Sequence, residues 1–241
     1  MTILVIGASG ATGRLLVQNL LERGEHVRIV VRSIESLPDA VLQHKNLSVT
    51  VASPLSLSET EMTKHVTGCK AVASCLGHNM TFKGVFAPPR RLVTDATRRL
   101  CKAIKTNRPA KPVKFVLMNT SGNSNRDLDE PISLAQKCVV GLVRALLPPH
   151  ADNEAAADFL RTEIGQNNET IEWVAVRPDG LTDEDTATEI DVHPSPIRSA
   201  IFDAGEVSRI NVASFMADLI TEDHIWTKWK GRMPVIYNVT R

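Results

Sequence analysis

Apolar and polar positions along this chain alternate between two periods, one of short apolar runs and one of helical stripes, and they trade places from the first residues onward. Thr2 to Ile6 is a short β-rich apolar run, Gly7 to Gly13 is a glycine-rich turn, and Leu15, Leu16, Leu20 and Leu21 then recur at helical spacing around Gln18 and Asn19. After Arg23-Gly24-Glu25 the run His26 to Val31 reads as a second, buried parallel strand. Leu37 to Lys45 predicts a short helix with Pro38 near its start, and Leu47 to Ala52 a third strand. Ser56 to Thr67 predicts a helix with Ser56 as N-cap and Glu59 completing a capping box, and Gly68 closes it. Lys70 to Leu76 is the fourth strand, a helix carries Arg90 to about Thr106, and Val113 to Met118 is the fifth strand.

The later chain is less regular. Met80 to Pro89, with Phe82 and Phe86, has little periodicity and suits a flap. Asn123 to Glu130 is turn-forming, and Pro131 opens a helix to about Leu147 whose apolar face is Ile132, Ala135, Val139, Leu142, Val143 and Leu146. Thr182 to Asp191 reads as an acidic loop, Ile197 to Phe202 as a strand, and Asn211 to about Thr221 as a helix capped by Asn211. Pro234 to Val239 is a final strand, with Trp226 and Trp229 expected at a surface corner beside it.

Composition narrows the partners. The 241 residues suit one large α/β domain, and 28 basic against 27 acidic side chains give no global field to attract nucleic acid or an anionic membrane. No apolar run approaches the roughly 18 residues of a membrane span, and nothing ahead of the first strand reads as a targeting segment. The four cysteines, Cys69, Cys75, Cys101 and Cys138, form no C-x-x-C pair and no ligand-like cluster with histidine, so no metal is expected. The expectation is a reduced cytoplasmic protein, monomeric or weakly homo-oligomeric, acting on a small molecule in a cleft.

The candidate chemistry starts at the first turn. Strand, G-x-x-G-x-x-G and helix is the order in which a βαβ unit aims a helix N-terminus at a phosphate. Gly7 makes the tight turn, Gly10 lets the backbone approach a pyrophosphate, and Gly13 allows close helix–strand packing. The string Val5-Ile6-Gly7-Ala8-Ser9-Gly10-Ala11-Thr12-Gly13-Arg14 resembles the extended and atypical short-chain dehydrogenase/reductases, especially the NAD(P)H-binding group that includes biliverdin reductase B and the NmrA-like proteins. Asn119 to Gly122 and Arg177 to Leu181 extend the resemblance.

The resemblance implies an α/β fold, a Rossmann-like, doubly wound, mostly parallel sheet with helices on both faces. It forms one domain over 1–241 with a small substrate-side excursion around 181–209. The second strand ends in Val31-Arg32-Ser33 with no carboxylate before Glu35, so the expected cofactor is NADP(H), with Arg32 clamping the 2′-phosphate and Ser33 donating a secondary bond. Arg28, of opposite parity to Ile29 and Val31, is a second candidate. The aspartate usual after the third strand is replaced by Ala52-Ser53-Pro54, leaving Ser53 one bond to the adenine. The cofactor set is completed by Ser9, Ala11, Thr12, Leu76, Gly77, Asn119, Thr120 and Pro178. His78 and Asn79 are expected to face the cleft, Arg90 and Arg91 to reach an anionic substrate or solvent.

The catalytic candidates are Ser121 first and Thr120 second, whose hydroxyls would bond a substrate carbonyl and hold it near the hydride donor. The Y-x-x-x-K dyad normal to this superfamily is missing. Aligning Arg177-Pro178-Asp179-Gly180-Leu181 puts the tyrosine position near Pro149 and the lysine position on or near Asn153, and the single tyrosine, Tyr237, stands elsewhere. Two functions are compatible with that loss. One is an NADPH-dependent reductase passing hydride to a small conjugated acceptor of flavin, quinone or tetrapyrrole type. The other is a non-catalytic NADP(H) sensor of NmrA type.

Overall fold

Every central strand of the sheet is apolar on both faces, and this is what allows helices to cover both sides. In the computed structural model, residues 1–78, 87–130 and 133–239 are described. The first half runs β1 (Thr2–Ile6), α1 (Ala11–Glu22), β2 (His26–Val31), α2 (Asp39–Leu42), β3 (Leu47–Val51), α3 (Glu59–Val66), β4 (Cys69–Ser74), α4 (Leu92–Asn107) and β5 (Val113–Met118). The second runs α5 (Leu134–Leu146), α6 (Pro148–Phe159) with a wide turn at Leu160–Ile164, β6 (Ile171–Pro178), β7 (Gly180–Thr182), β8 (Ile190–His193), β9 (Glu206–Ser208), α7 (Arg209–Thr221), α8 (Asp223–Trp229) and β10 (Val235–Asn238).

Eight strands form one sheet in the order β3-β2-β1-β4-β5-β6-β10-β8, while β7 and β9 pair separately. All neighbours in the large sheet are parallel except β8, which runs antiparallel to β10. The chain winds outward from β1 to β3 and restarts beside β1 at β4, so a crevice opens at the carboxyl ends of β1 and β4.

The alternation within each strand sorts the core into two halves. Ile3, Val5, Val27, Ile29 and Val174 face Leu16, Val17 and Leu20 of α1 and Phe215, Met216 and Leu219 of α7. Leu4, Ile6, Val72, Phe115 and Trp173 face Met62 of α3, Leu100 and Ile104 of α4 and Ala156 of α6. The expected doubly wound fold is thus present, in a single domain.

Several local expectations are corrected. The capping box sits two residues later than expected: Ser58 caps α3, its Oγ accepting the Glu61 N–H, while the Glu61 carboxylate accepts the Ser58 N–H. Ser56 instead donates to the Ser53 carbonyl. The second helix is short, confined to Asp39–Leu42, and β4 ends at Ser74, which leaves Leu76 and Gly77 in a loop. Ile197 to Phe202 is not a strand. The strand lies within and just beyond the expected acidic loop, at Ile190–His193, where β10 offers a free edge for antiparallel pairing. Ser208 caps α7, and Asn211 is buried inside it, bonded to Thr188 and Asn238.

Helix α5 is capped by Ser133, and the expected start at Pro131 and Ile132 lies outside the described residues. Its supposed buried face is open at Leu142 and Leu146, each 59% exposed. Trp226 and Trp229 are buried in the main core, because α8 folds back against the sheet instead of marking a surface corner.

The corrected cap is testable. Ser58→Ala is expected to lower unfolding free energy by about 1 kcal/mol, whereas Ser56→Ala, at an exposed position, should stay within about 0.5 kcal/mol of the parent. Urea denaturation of both variants checks it.

Candidate functional site

The glycine-rich turn is shaped by two close approaches. Gly7 has φ +73°, and a Cβ there would lie 2.5 Å from the Cys75 carbonyl carbon, so the turn passes against the end of β4. A Cβ on Gly13 would lie 2.1 Å from the Gly7 oxygen, which ties α1 directly beneath the turn. Gly10 lines the crevice and caps α1 without any side-chain bond, so no side chain occupies the N–H groups of the first helical turn, Ala11 to Gly13. Thr12 and Gly13 are buried and Ala11 is exposed. Ser36 donates to the Ser9 carbonyl at 3.0 Å and steadies the turn from outside.

A cleft of about 300 Å³ opens over this turn, and it brings together Gly7, Ser9, Gly10, Arg32, Ser53, Leu76 and Gly77. These come from the ends of four adjacent strands, which is why residues far apart in sequence meet here. Arg32 is exposed at the end of β2. Ser33 is also exposed, and its Oγ accepts the Glu35 N–H at 3.2 Å, leaving its own proton to give. Ser53 accepts the Leu55 N–H at 3.4 Å. The uncapped helix end, the cradle that Cβ atoms would obstruct and the cation at the second strand fit a phosphorylated dinucleotide.

Arg28 does not join this group. It sits toward the amino end of β2, away from the cleft, where its guanidinium donates to the His65 carbonyl and, at 3.3 Å, to that of Lys64, at the carboxyl end of α3. Nor do the basic side chains of α4 form an open anion site. Arg98 pairs with Glu163, Lys102 with Glu59 and Arg91 with Asp95, and Arg99 donates to the Leu55 and Leu57 carbonyls.

A second group lies at the ends of β5 and β6. Asn119 is held entirely within the protein: its Oδ1 accepts the Thr120 N–H at 2.9 Å and a bond from Asn123, and its Nδ2 donates to the Asn153 carbonyl at 2.9 Å. Thr120 Oγ1 accepts the Gly122 N–H at 3.3 Å. The Ser121 N–H donates to the Pro178 carbonyl at 2.9 Å, fixing the two strand ends together. Ser121 Oγ donates to Asp179 Oδ1 at 2.8 Å, and Asp179 Oδ2 accepts the Gly205 N–H at 2.9 Å. The expected donation from Ser121 to a substrate carbonyl therefore competes with a carboxylate that already holds the proton.

Beneath this loop Arg177 is fully buried. It donates to the carbonyls of Met233, Asn123 and Pro194 and to Glu130 Oε1 at 2.7 Å, while Glu130 Oε2 accepts the Asn125 N–H.

His78 does leave the end of β4 toward the crevice, but its ring is spent. Nε2 lies 2.8 Å from Asp152 Oδ2, with both side chains almost wholly enclosed. The same carboxylate accepts the Val93 and Thr94 N–H groups at 2.7 and 2.9 Å, so it caps α4, whose Leu92 lines the cleft. Asn79 and the flap residues up to Phe86 lie outside the described residues.

The tyrosine and lysine positions of the resembling enzymes fall on the first turns of α6. There Asn153 contributes its carbonyl, to the Asn119 amide, and His150 packs beside Gly122, its Cε1 3.3 Å from where a Cβ would stand. Burial, helped by Arg144 and opposed by Glu154, holds His150 below the usual histidine range. Tyr237 is buried on β10, its phenol pushed up by burial and the nearby Asp179 charge. Cys75, beside the glycine turn, is pushed up to about 12 by burial and stays a thiol. Among the described residues no group of acidic, histidine and cysteine side chains could hold a metal, and no helix is long and apolar enough to cross a membrane.

Sequence reasoning missed Asp152, whose side-chain carboxylate bonds Thr94 58 residues away, and Asp179, which bonds Ser121 at the same separation and Gly205 at 26, and also the cleft-lining Pro54, Pro89 and Leu92. Only Asp179, standing inside the Arg177-Pro178 stretch, carried a signal.

The model of the NAD(P)H-binding family matches residues 7–223. No curated protein matches the chain by sequence. Solved structures share the fold. The oxidoreductase ylbE from Lactococcus lactis superposes with a TM-score of 0.68 at 18% identity, covering 99% of this chain and 91% of its own. A wide-type short-chain dehydrogenase/reductase from Veillonella parvula, solved in complex with NADP, gives 0.70 at 14% identity over 99% and 94%. The anaerobilin reductase ChuY from Escherichia coli O157:H7 gives 0.69 at 15% identity over 100% and 98%.

The Asp152 cap supports one wall of the cleft. Asp152→Ala is expected to lower unfolding free energy by about 3 kcal/mol, because it strands two helix N–H groups and the buried His78 ring. Asp152→Asn, which keeps an acceptor, should lose less, as read by urea denaturation.

Proposed function

We propose that this chain, which belongs to the NAD(P)H-binding family whose model spans residues 7–223, is an NADPH-dependent reductase that passes hydride to a small conjugated acceptor of flavin, quinone or tetrapyrrole type. The observation that carries this reading is the cleft over the glycine turn, where Arg32 stands at the end of β2 with no carboxylate among the lining residues. An arginine at that place suits a 2′-phosphate, and an acidic side chain would suit a free ribose hydroxyl. The nearby Ser33 proton and the Ser53 hydroxyl give the adenosine end further polar partners.

When bound, the dinucleotide supplies the hydride, and water supplies the proton that completes reduction of the acceptor. The chain's residues bind and orient. The α1 amides hold the diphosphate, Gly77 lets the backbone pass close to it, and Thr120 and Ser121, with Pro178, bound the nicotinamide end. The missing tyrosine–lysine pair argues against alcohol–ketone interconversion and against sugar-nucleotide epimerisation, both of which need a positioned phenol. A conjugated acceptor has no such need, because its reduced form spreads the charge.

Calorimetry with NADPH and NADH, followed by stopped-flow oxidation of bound NADPH with a flavin and a quinone, tests the proposal. Tight NADPH binding with rapid oxidation is expected, and Arg32→Ala should weaken NADPH about tenfold or more while leaving NADH within about twofold. Tight binding with no oxidation by any acceptor would overturn the reductase in favour of a non-catalytic NADP(H) sensor. Preference for NADH would remove the role of Arg32.

A further inference from the structure

The substrate end has a hydrogen-bonding sense. Ser121 is only 7% exposed, its backbone is fixed by the Pro178 carbonyl, and its hydroxyl donates to Asp179 Oδ1 at 2.8 Å. Asp179 cannot swing away freely, since its other oxygen accepts the Gly205 N–H at 2.9 Å. A hydroxyl has one proton and two lone pairs. A bond to a charged acceptor is roughly twice as strong as one to a neutral carbonyl, so the proton stays on the Asp179 side and Ser121 offers lone pairs only. Thr120 is the reverse case: its oxygen accepts the Gly122 N–H, and among the described residues its proton is given to no acceptor. Consecutive residues thus offer an acceptor and a donor.

We propose that Asp179 is a specificity-determining residue: by holding the Ser121 proton it makes Ser121 an acceptor and selects a substrate that carries a ring N–H. An imide or lactam edge, with N–H and C=O side by side, as in a flavin or the end ring of a linear tetrapyrrole, matches this pair. A quinone, which has carbonyl oxygens alone, meets lone pair with lone pair at Ser121. The inference deepens the reductase reading and rests on it for the placement of substrate beside Thr120 and Ser121.

The test is equilibrium binding of lumiflavin and N3-methyl-lumiflavin to the NADP⁺-saturated protein, read by quenching of flavin fluorescence. Blocking the N–H is expected to weaken binding about tenfold or more, as expected for a site whose polar group loses its partner. Ser121→Ala should shrink the difference to within about twofold. Asp179→Asn, whose amide can donate to Ser121 and release its proton, should shrink it too and raise kcat/KM for menadione with NADPH. Equal binding of the two flavins, an unchanged ratio in both variants, or no binding of lumiflavin overturns the inference. A retained lumiflavin preference without NADPH oxidation by any acceptor would sink the reductase reading and leave the role of Asp179 standing.

Discussion

A guanidinium with no access to water must give its N–H groups to oxygens inside the protein, and Arg177 does so across three separate stretches of chain. It reaches the Met233 carbonyl ahead of β10, the Pro194 carbonyl in the excursion, and Asn123 and Glu130 in the loop that follows β5. A buried ion pair of this kind adds little net stability over an apolar replacement, since desolvation offsets the attraction. Its consequence is geometric. The loop carrying Thr120 and Ser121 has no regular structure of its own, and without an internal cation its Asn123 carbonyl and Glu130 carboxylate would have to be hydrated, which the packing around Arg177 forbids.

The two ends of the crevice are therefore built on different physics. The dinucleotide end is backbone: a turn that only glycine can make at Gly7, a helix start that only glycine can approach at Gly13, and amides left uncapped at Gly10. The side chain to which we assign its selectivity, Arg32, is exposed and added at a strand end. The other end is side chain throughout. Ser121, Asp179, Asn119 and Arg177 are each fixed by a partner distant in sequence, so shape and hydrogen-bonding sense there depend on the whole fold being assembled. A change of substrate needs only side chains to change, while the nucleotide cradle stays as it is.

This division explains what could be read in advance. The glycine turn, the strands and the Arg32 position are local: short apolar runs, a motif within seven residues and the residue just past a strand all lie within one window of sequence. Seven of the expected cofactor residues accordingly meet in one cleft. Helix starts were legible only approximately, because Ser56 and Ser58 both have a glutamate near the right spacing, Glu59 and Glu61, and tertiary packing decides between them. The excursion was misread, since β8 is a strand only because β10 presents an open edge, and nothing in Ile190 to His193 announces that. The Trp226 and Trp229 pair looked like a surface corner because the segment is polar between them, yet α8 turns both indoles into the core. Asp152 was invisible as a site residue for the same reason, and Asp179 was marked only by the Arg177-Pro178 stretch around it: an aspartate in sequence carries no sign of the serine, histidine or helix amides that the fold brings to it.

The turn of α6 where tyrosine–lysine dehydrogenases carry their lysine makes the same point from the chemical side. In a tyrosine–lysine enzyme that helix must deliver a charge that shifts a phenol able to pass a proton to the substrate. Here the corresponding turn of α6 delivers a neutral carbonyl, Asn153, to the Asn119 amide, and a carboxylate, Asp152, to the start of α4. Both contacts point back into the protein and hold its parts together. Beside that helix, Thr120 and Ser121 offer hydroxyls at the end of β5, and Ser121 has already committed its proton to Asp179. The hydride transfer we propose is consistent with such an arrangement, because a ring system that stabilises its own negative charge asks for orientation and leaves the proton to water.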